Sequence, residues 1–283
     1  MSPDRAAISV LMATYAAENP LFLKQSLNSC LGQDLKPVQI VLVLDGPVGT
    51  AQEHVIQSFH RTAGHEQIDV CVVRLERNVG LGRALNAGLE RCTQPYVARM
   101  DSDDISHPRR FAVQWRMLSE KPEIDLLACP QADFDTDPTN PYQIKRVPER
   151  HDEIVKVLKW RNVISHPSIV FKRALVAKLG GYRHLLYLED YDLFMRMVRA
   201  GARLHAIQEP LILVRVNRSQ HARRGGWHHL LRDIRFRWDL YRHGDISLPL
   251  CIGSSVLYGA FRLAPTNVKR MMYGRVRTAL RQT

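Results

Sequence analysis

Two stretches near the amino terminus limit what this chain can become. "AISVLMATY" (Ala7–Tyr15) and "VQIVLVLDG" (Val38–Gly46) are almost wholly apolar runs rich in β-branched residues. Such a run has no polar face to show to water, so it reads as a strand covered on both sides, the condition of a parallel sheet. Between them, "LFLKQSLNSCLGQ" repeats Leu23, Leu27 and Leu31 at helical spacing and stops at Gly32. The alternation continues through a polar helix near Thr50–Thr62, a strand at "IDVCVVRLE", a helix at "LGRALNAGLERC" and a fourth strand at "PYVARMD". Strands and helices alternating at this pitch predict an open, mostly parallel α/β sheet. Ligands of such sheets collect at the carboxyl ends of the strands. Tyr15, Asp45 and the group Asp101, Asp103 and Asp104 fall at such ends.

The pattern changes after Phe111. "RRFAVQWRMLSEKP" reads as a helix stopped before Pro122, "IDLLACPQADF" as a strand and "HDEIVKVLKW" as a helix. "NVISHPSIVFKR" enters a strand through His166-Pro167, "ALVAKLGGY" is a short helix, and "LEDYDLFMRMVRAGAR" is a helix opening on three acids. "EPLILVRV" is the last strand, and from Arg218 the chain turns basic and loses strand signals.

Charge narrows the partners. With 40 Lys and Arg against 28 Asp and Glu the formal net charge is +12, which favours anionic partners. No nucleic-acid recognition motif is present, and the basic excess lies outside the α/β core, so nucleic acid is not expected as a partner. Five cysteines without a CxxC pair argue against a disulfide framework or a zinc site and fit a reducing cytoplasm. The start of the chain lacks a signal-peptide layout. No stretch reaches the ~18 apolar residues of a spanning helix.

"YVARMDSDDISHPRRF" crowds three carboxylates behind a buried strand, where each is costly to desolvate and repels its neighbours. Asp-Ser-Asp spacing lets two carboxylates approach one hard cation, Mg²⁺ or Mn²⁺, together with phosphate oxygens. The plainer alternative is an Asx turn or cap for the helix that follows. Asp45 before Gly46 has a turn-forming alternative, Tyr15 a core alternative, and the acids of "LEDYD" an alternative as first-turn partners of a helix dipole. Gly80 and Gly82 in "NVGLG" come too late in the chain for a dinucleotide fingerprint and read as turn residues.

Taken in order, "ISVLMATYAAENPLFLKQSLNSCLGQ", "IVLVLDGP", "RNVGLGRALNAGLERC", "YVARMDSDDISHPRRFAVQ", "HPSIVFKR" and "LEDYDLFMRMVRAG" resemble the family 2 glycosyltransferases of GT-A fold, over about Ile8 to Arg215. The subgroup most similar builds bacterial exopolysaccharide, capsule or lipopolysaccharide O-chains. The resemblance implies an α/β fold: a Rossmann-like, nucleotide-binding mixed sheet flanked by helices, with a basic helical extension at the carboxyl end. Residues 1–217 would form the transferase domain, with a nucleotide-binding half at about 1–105 and an acceptor half at about 106–217. Residues 218–283 would form the extension.

The same resemblance assigns roles. Ala13 and Tyr15 would line a uracil or thymine pocket, with Glu18 just beyond. Asp45 would bond a base nitrogen, the position before it being Leu44 where the family often has a second acid. Arg83 would approach base or phosphates, Asp101 the ribose and the cation, and Asp103 the cation, Mn²⁺ or Mg²⁺. Asp190 would be the catalytic base, with Glu189 as its neighbour or stand-in, and His166 would lie on the acceptor side. Relatives often carry a His after the last strand where this chain has Asn217, which leaves His221, Arg215 or Arg218 to meet the diphosphate. The implied reaction is inverting transfer from a UDP- or dTDP-sugar to a saccharide or lipid-linked acceptor.

The aromatic- and Arg-rich carboxyl-terminal segments suit interfacial helices on an anionic membrane surface, or a solvated helical subdomain. The expected location is cytoplasmic, peripheral at the inner face of the membrane. Two other functions stay open at this level. A sugar-1-phosphate nucleotidyltransferase would need a Gly-rich phosphate loop after the first strand, which "ATYAAENP" does not offer. A non-catalytic carbohydrate-binding relative would tolerate loss of Asp103 and Asp190.

Overall fold

The computed structural model describes residues 5–216 and 227–263. The chain divides after Val216 into two compact units.

The first unit is built on a seven-stranded sheet. Its amino-terminal half is β1 (Arg5–Thr14), α1 (Pro20–Leu31), β2 (Lys36–Leu44), α2 (Thr50–His65), β3 (Asp69–Arg74), α3 (Leu81–Leu89) and β4 (Tyr96–Asp101). β1 lies between β2 and β4, and β3 follows β2, all parallel. The registers Ala13↔Asp101 and Thr14↔Leu44 bring the carboxyl ends of three strands to one edge. The burial that forces this arrangement is near-total: Ile8, Val10, Leu11 and Met12 of β1 and Ile40 to Val43 of β2 are wholly inside. At about 1.5–3 kcal/mol per fully buried aliphatic side chain, such runs fix the centre of the sheet.

The carboxyl-terminal half carries β5 (Ile105–Ser106), α4 (Arg110–Glu120), β6 (Leu126–Ala128), β7 (Gln131–Phe134), β8 (Gln143–Lys145), α5 (His151–Leu158), β9 (Val170–Lys172), α6 (Arg173–Lys178), α7 (Glu189–Arg199), β10 (Leu204–Ala206) and β11 (Ile212–Arg215). β9 inserts antiparallel between β4 and β6, and β10 closes that edge. The sheet is therefore mixed. Because β9 runs against β4, the 3-10 turn His166–Ser168 that precedes it is delivered to the carboxyl end of β4, where Arg99 N donates to Ile169 O at 3.0 Å. A second, four-stranded sheet has the order β5-β11-β7-β8.

One expected strand is two. "IDLLACPQADF" breaks at Cys129-Pro130 into β6 and β7, which belong to different sheets. Proline has no amide for a ladder, so the chain changes sheets there. The short strands β5, β8 and β10 carry no apolar run that announces them.

The second unit contains α8 (Trp227–Arg242) and α9 (Leu248–Leu263). Among the described residues no helix is long and apolar enough to cross a membrane. The five cysteines form no disulfide.

Candidate active site

Asp101 closes β4, and Asp103 and Asp104 follow in the turn to β5. Carboxylate oxygens of the three lie within 4.8 Å of one another. Asp104 is 2% exposed, and its Oδ1 accepts the Arg215 amide at 2.9 Å while its Oδ2 has no donor among the described residues. Glu18 joins the group from the β1–α1 loop, accepting from Ser102 Oγ at 2.9 Å. Burial, then Asp101, then Glu18 push the Asp103 carboxyl up to about 7. Burial, Asp101 and Asp103 hold Asp104 well above the ordinary carboxylate range. An all-oxygen cluster with mutual repulsion and one buried oxygen lacking a donor fits a hard divalent cation. Asp103, Asp101 and Asp104 would hold it.

Two arginines partly answer the charge. Arg99 is 2% exposed inside β4 and donates through Nη2 to Asp101 Oδ1. Its Nε and Nη1 have no partner among the described residues. Arg215, at the end of β11, is clamped over the rings of Phe22 (3.9 Å) and Phe134 (4.6 Å), with Nε on Asp103 O at 3.1 Å and Nη2 on Gln25 Oε1 at 2.6 Å. Only 4% exposed, Arg215 braces the turn from behind.

Glu189 and Asp190 open α7. Asp190 Oδ1 accepts its neighbour Tyr191 N at 2.7 Å, and Oδ2 accepts Asn162 Nδ2 at 2.8 Å. Burial raises the Asp190 carboxyl, against these two donors and the charge of Arg99. A helix amino terminus favours the ionised form, but desolvation is the largest influence here, and it favours a stronger base. Glu189 is raised as well, by burial first and less by the Asp190 charge, against backbone hydrogen bonds and the charge of Arg99. His166 is buried, with Nε2 3.0 Å from Tyr182 Oη. Burial and the Arg99 charge hold it well below its ordinary pKa, so the ring is neutral.

Arg99 ties the two acid groups together. Its charge acts on Asp101, Asp103 and Asp104, and equally on Glu189, Asp190, Tyr182 and His166. A loop completes the junction: Asn86 of α3 exchanges two bonds with the Tyr182 backbone, at 2.7 and 2.8 Å. Gly82 lets that loop close in, since a Cβ there would stand 3.0 Å from Arg183 O and 3.6 Å from Glu189 Cβ. Gly80 starts α3 at φ +89°, as a turn glycine, whereas Gly82 is a packing glycine inside the helix.

The remaining candidates are placed as follows. Ala13 pairs with Asp101 across the sheet, and Tyr15 is exposed. Asp45 is buried, with Oδ1 and Oδ2 accepting the amides of Val79 (2.7 Å) and Gly80 (3.1 Å), so its carboxylate holds the loop that opens α3. Arg83 is exposed on the first turn of α3. Arg218, Asn217 and His221 lie outside the described residues. Arg99, Asn162 and Tyr182 were not singled out from sequence. Arg99 had a signal: a charge within an apolar strand, two residues before Asp101, must share its face and find a partner. Asn162 and Tyr182 gave none, because their partners lie far along the chain.

The model of glycosyl transferase family 2 matches residues 9–180, more than half of the chain. The chain is a family 2 glycosyltransferase. This family 2 enzyme is 32% identical over 276 residues to the UDP-Gal:alpha-D-GlcNAc-diphosphoundecaprenol beta-1,3-galactosyltransferase of Escherichia coli, covering 98% of each chain. It is 34% identical over 268 residues to the amylovoran biosynthesis glycosyltransferase AmsE of Erwinia amylovora, covering 94% of this chain and 97% of that one. Among solved structures, TarS 1–349 of S. aureus in complex with UDP-GlcNAc superposes with TM-score 0.65 at 17% identity, covering 83% of this chain and 66% of that one. Mannosyltransferase PcManGT of Pyrobaculum calidifontis, in complex with GDP-Man and Mn2+, gives 0.60 at 18% identity, with 98% and 81% covered. The family 2 transferase thus has the GT-A fold.

Proposed function

We propose that this glycosyltransferase moves a sugar from a UDP- or dTDP-sugar to a saccharide or lipid-linked acceptor, with inversion at the anomeric carbon, in the synthesis of bacterial surface polysaccharide. The observation that carries the reading is the pair of acid groups around Arg99: one crowded and short of donors, the other isolated and held by donors. The two curated relatives, matched over nearly their whole length, support the pathway and a diphospholipid-linked acceptor.

Residues 1–105 supply the donor side. Ala13 and Tyr15 flank the base, and Asp45 shapes the loop beside it or bonds the base. Glu18 and Asp101 approach the ribose, and Arg83 the phosphates. Asp103, with Asp101, holds Mn²⁺ or Mg²⁺. A divalent cation bound there would neutralise charge on the nucleoside diphosphate. Residues 106–217 supply the acceptor side. Asp190 Oδ accepts the proton of an acceptor hydroxyl as its oxygen forms the bond to C1. The bond from C1 to the diphosphate oxygen breaks on the opposite face, and its electron pair leaves with the nucleoside diphosphate. Asn162 and the Tyr191 amide fix the carboxylate plane, leaving one lone pair on each oxygen for the incoming proton. Glu189 bonds the acceptor sugar, and neutral His166 sets the Tyr182 hydroxyl beneath it.

The test is transfer from UDP-galactose to a synthetic GlcNAc-diphospholipid with Mn²⁺, preceded by thermal shift with UDP, dTDP and GDP. Stabilisation by UDP or dTDP only when Mn²⁺ or Mg²⁺ is present is expected. Indifference to every nucleoside diphosphate, with and without metal, would overturn the reading.

A further inference from the structure

The charge of this protein is not spread evenly. Residues 217–283 hold 13 Lys and Arg against three Asp, so +10 of the formal +12 resides there. The helices α8 and α9 of that region pack on each other, with the Arg237 guanidinium of α8 4.3 Å above the Tyr258 ring of α9. Leu230, Phe236, Leu240 and Cys251 are buried and make one apolar stripe. A second stripe faces outward. Leu231, Ile234 and Trp238 recur on α8 at helical spacing, and Leu248, Ile252 and Val256 on α9. All six are exposed, Trp238 by 51%, Ile252 by 55% and Val256 by 67%. Ile234, Trp238, Ile252 and Val256 line one shallow groove of about 260 Å³, so the two stripes form a single face. Arg232, Arg235 and Arg242 are exposed beside it on α8.

We propose that this face docks on an anionic lipid bilayer, with α8 and α9 lying in the headgroup plane. The inference deepens the proposed use of a lipid-linked acceptor and rests on it only for its purpose. The chemistry selects the occupant. Apolar side chains with an aromatic ring, bordered by arginines, match a layer whose interior is apolar and whose surface is negative. A second copy would set two regions of +10 against each other, which opposes pairing. Nucleic acid would satisfy the arginines but leave the aliphatic side chains facing water. Insertion is shallow, because no described helix is long and apolar enough to cross. Two contributions add: apolar burial, indifferent to salt, and attraction of the arginines to anionic headgroups, which salt weakens.

The test uses the full chain with vesicles of phosphatidylcholine alone or with about 30% phosphatidylglycerol, in co-sedimentation at low and high salt. The expected result is binding at least about tenfold tighter to the anionic vesicles, weakened but not abolished by salt. Ile252→Asp and Val256→Asp, both on the exposed face, should each weaken it about tenfold while leaving helicity and the UDP-with-Mn²⁺ thermal shift as in the wild type. Lipids brominated on the acyl chain should quench tryptophan emission, and Trp238→Phe should remove that quenching. Equal binding by the two Asp variants, or quenching that survives Trp238→Phe, would overturn the proposal. So would self-association that the same variants abolish in a protein that ignores vesicles. A wild type that binds vesicles yet shows no response to nucleoside diphosphates would sink the proposed reaction and leave the docking face standing.

Discussion

Asp103 and Asp104 on one hand, and Glu189 and Asp190 on the other, are carboxylates raised by the same cause, burial, and neighboured by the same cation, Arg99, which also pairs with Asp101. They differ in what surrounds the oxygens. In the first group carboxylates repel carboxylates, and Asp104 Oδ2 meets no donor among the described residues. In the second, each oxygen of Asp190 has a donor, one from the Tyr191 amide and one from Asn162. Repulsion without donors makes a site that gains by acquiring positive charge. A desolvated carboxylate held in a fixed plane makes a site that gains by acquiring a proton. In the proposed reaction, one strand end and one helix start, about a single buried arginine, would divide the work of holding a leaving group from that of activating a nucleophile.

The largest separation of the two is expected from Asp190→Asn. Transfer should fall roughly 10³-fold in kcat, while binding of UDP with Mn²⁺, followed by calorimetry, stays within about twofold of wild type. Loss of nucleotide binding in this variant would show that the groups are not separable.

Asp103→Asn should do the reverse. A lost charge-assisted contact of about 1.5–3 kcal/mol weakens Mn²⁺ roughly 10- to 100-fold. The same variant should melt a few degrees higher than wild type without metal, because repulsion is relieved. The sign follows from linkage: the folded chain keeps a proton on Asp103 up to about pH 7, where the ordinary value is 3.8. Stability of the metal-free protein therefore falls as pH rises between those values, and Mn²⁺ affinity rises over the same window. Differential scanning fluorimetry and Mn²⁺ titration at pH 5.5 and 8 would check both trends.

Asn162→Ala tests whether the second group is set by its donors. Its bond stabilises the ionised carboxylate, so removing it should raise the acid limb of the kcat–pH profile and lower kcat by about tenfold at neutral pH, with Mn²⁺ affinity unchanged. An unmoved profile would mean that Asn162 is only structural.

The smallest effect is expected from Gly82→Ala. The added methyl presses on Arg183 O from 3.0 Å and meets Glu189 Cβ in ordinary contact at 3.6 Å. A few-fold loss in kcat without change in Mn²⁺ affinity is expected, since the displaced loop belongs to the second group alone.

Most of this contrast was open to inspection in the sequence, and its limits are physical. β1, β2 and β4 announced themselves because burial on both faces leaves a run of apolar residues, and Asp45 and the Asp101–Asp104 group marked where those runs stop. The acids of α7 were visible as a first-turn group before an apolar face. What could not be read was whatever depends on distant pairing. β9 reverses direction between β4 and β6 through pairings such as Ala98↔Val170 and Leu127↔Val170, far apart along the chain. Asp45 looked like a ligand residue from its place at a strand end, yet its oxygens are engaged by the backbone of Val79 and Gly80, a task no local pattern encodes. The balance of pKa influences at Asp190 has the same character. The helix terminus is a local feature, whereas the burial that outweighs it comes from the whole fold.

Most direct of all is Mn²⁺ and UDP titration of wild type, Asp103→Asn and Asp190→Asn in parallel, with sugar transfer measured on the same three samples. The expected outcome is cation-dependent UDP binding in wild type and Asp190→Asn but not in Asp103→Asn, with transfer confined to wild type. Tight metal-dependent binding by Asp103→Asn, or wild-type transfer by Asp190→Asn, would contradict the division of labour between the two acid groups.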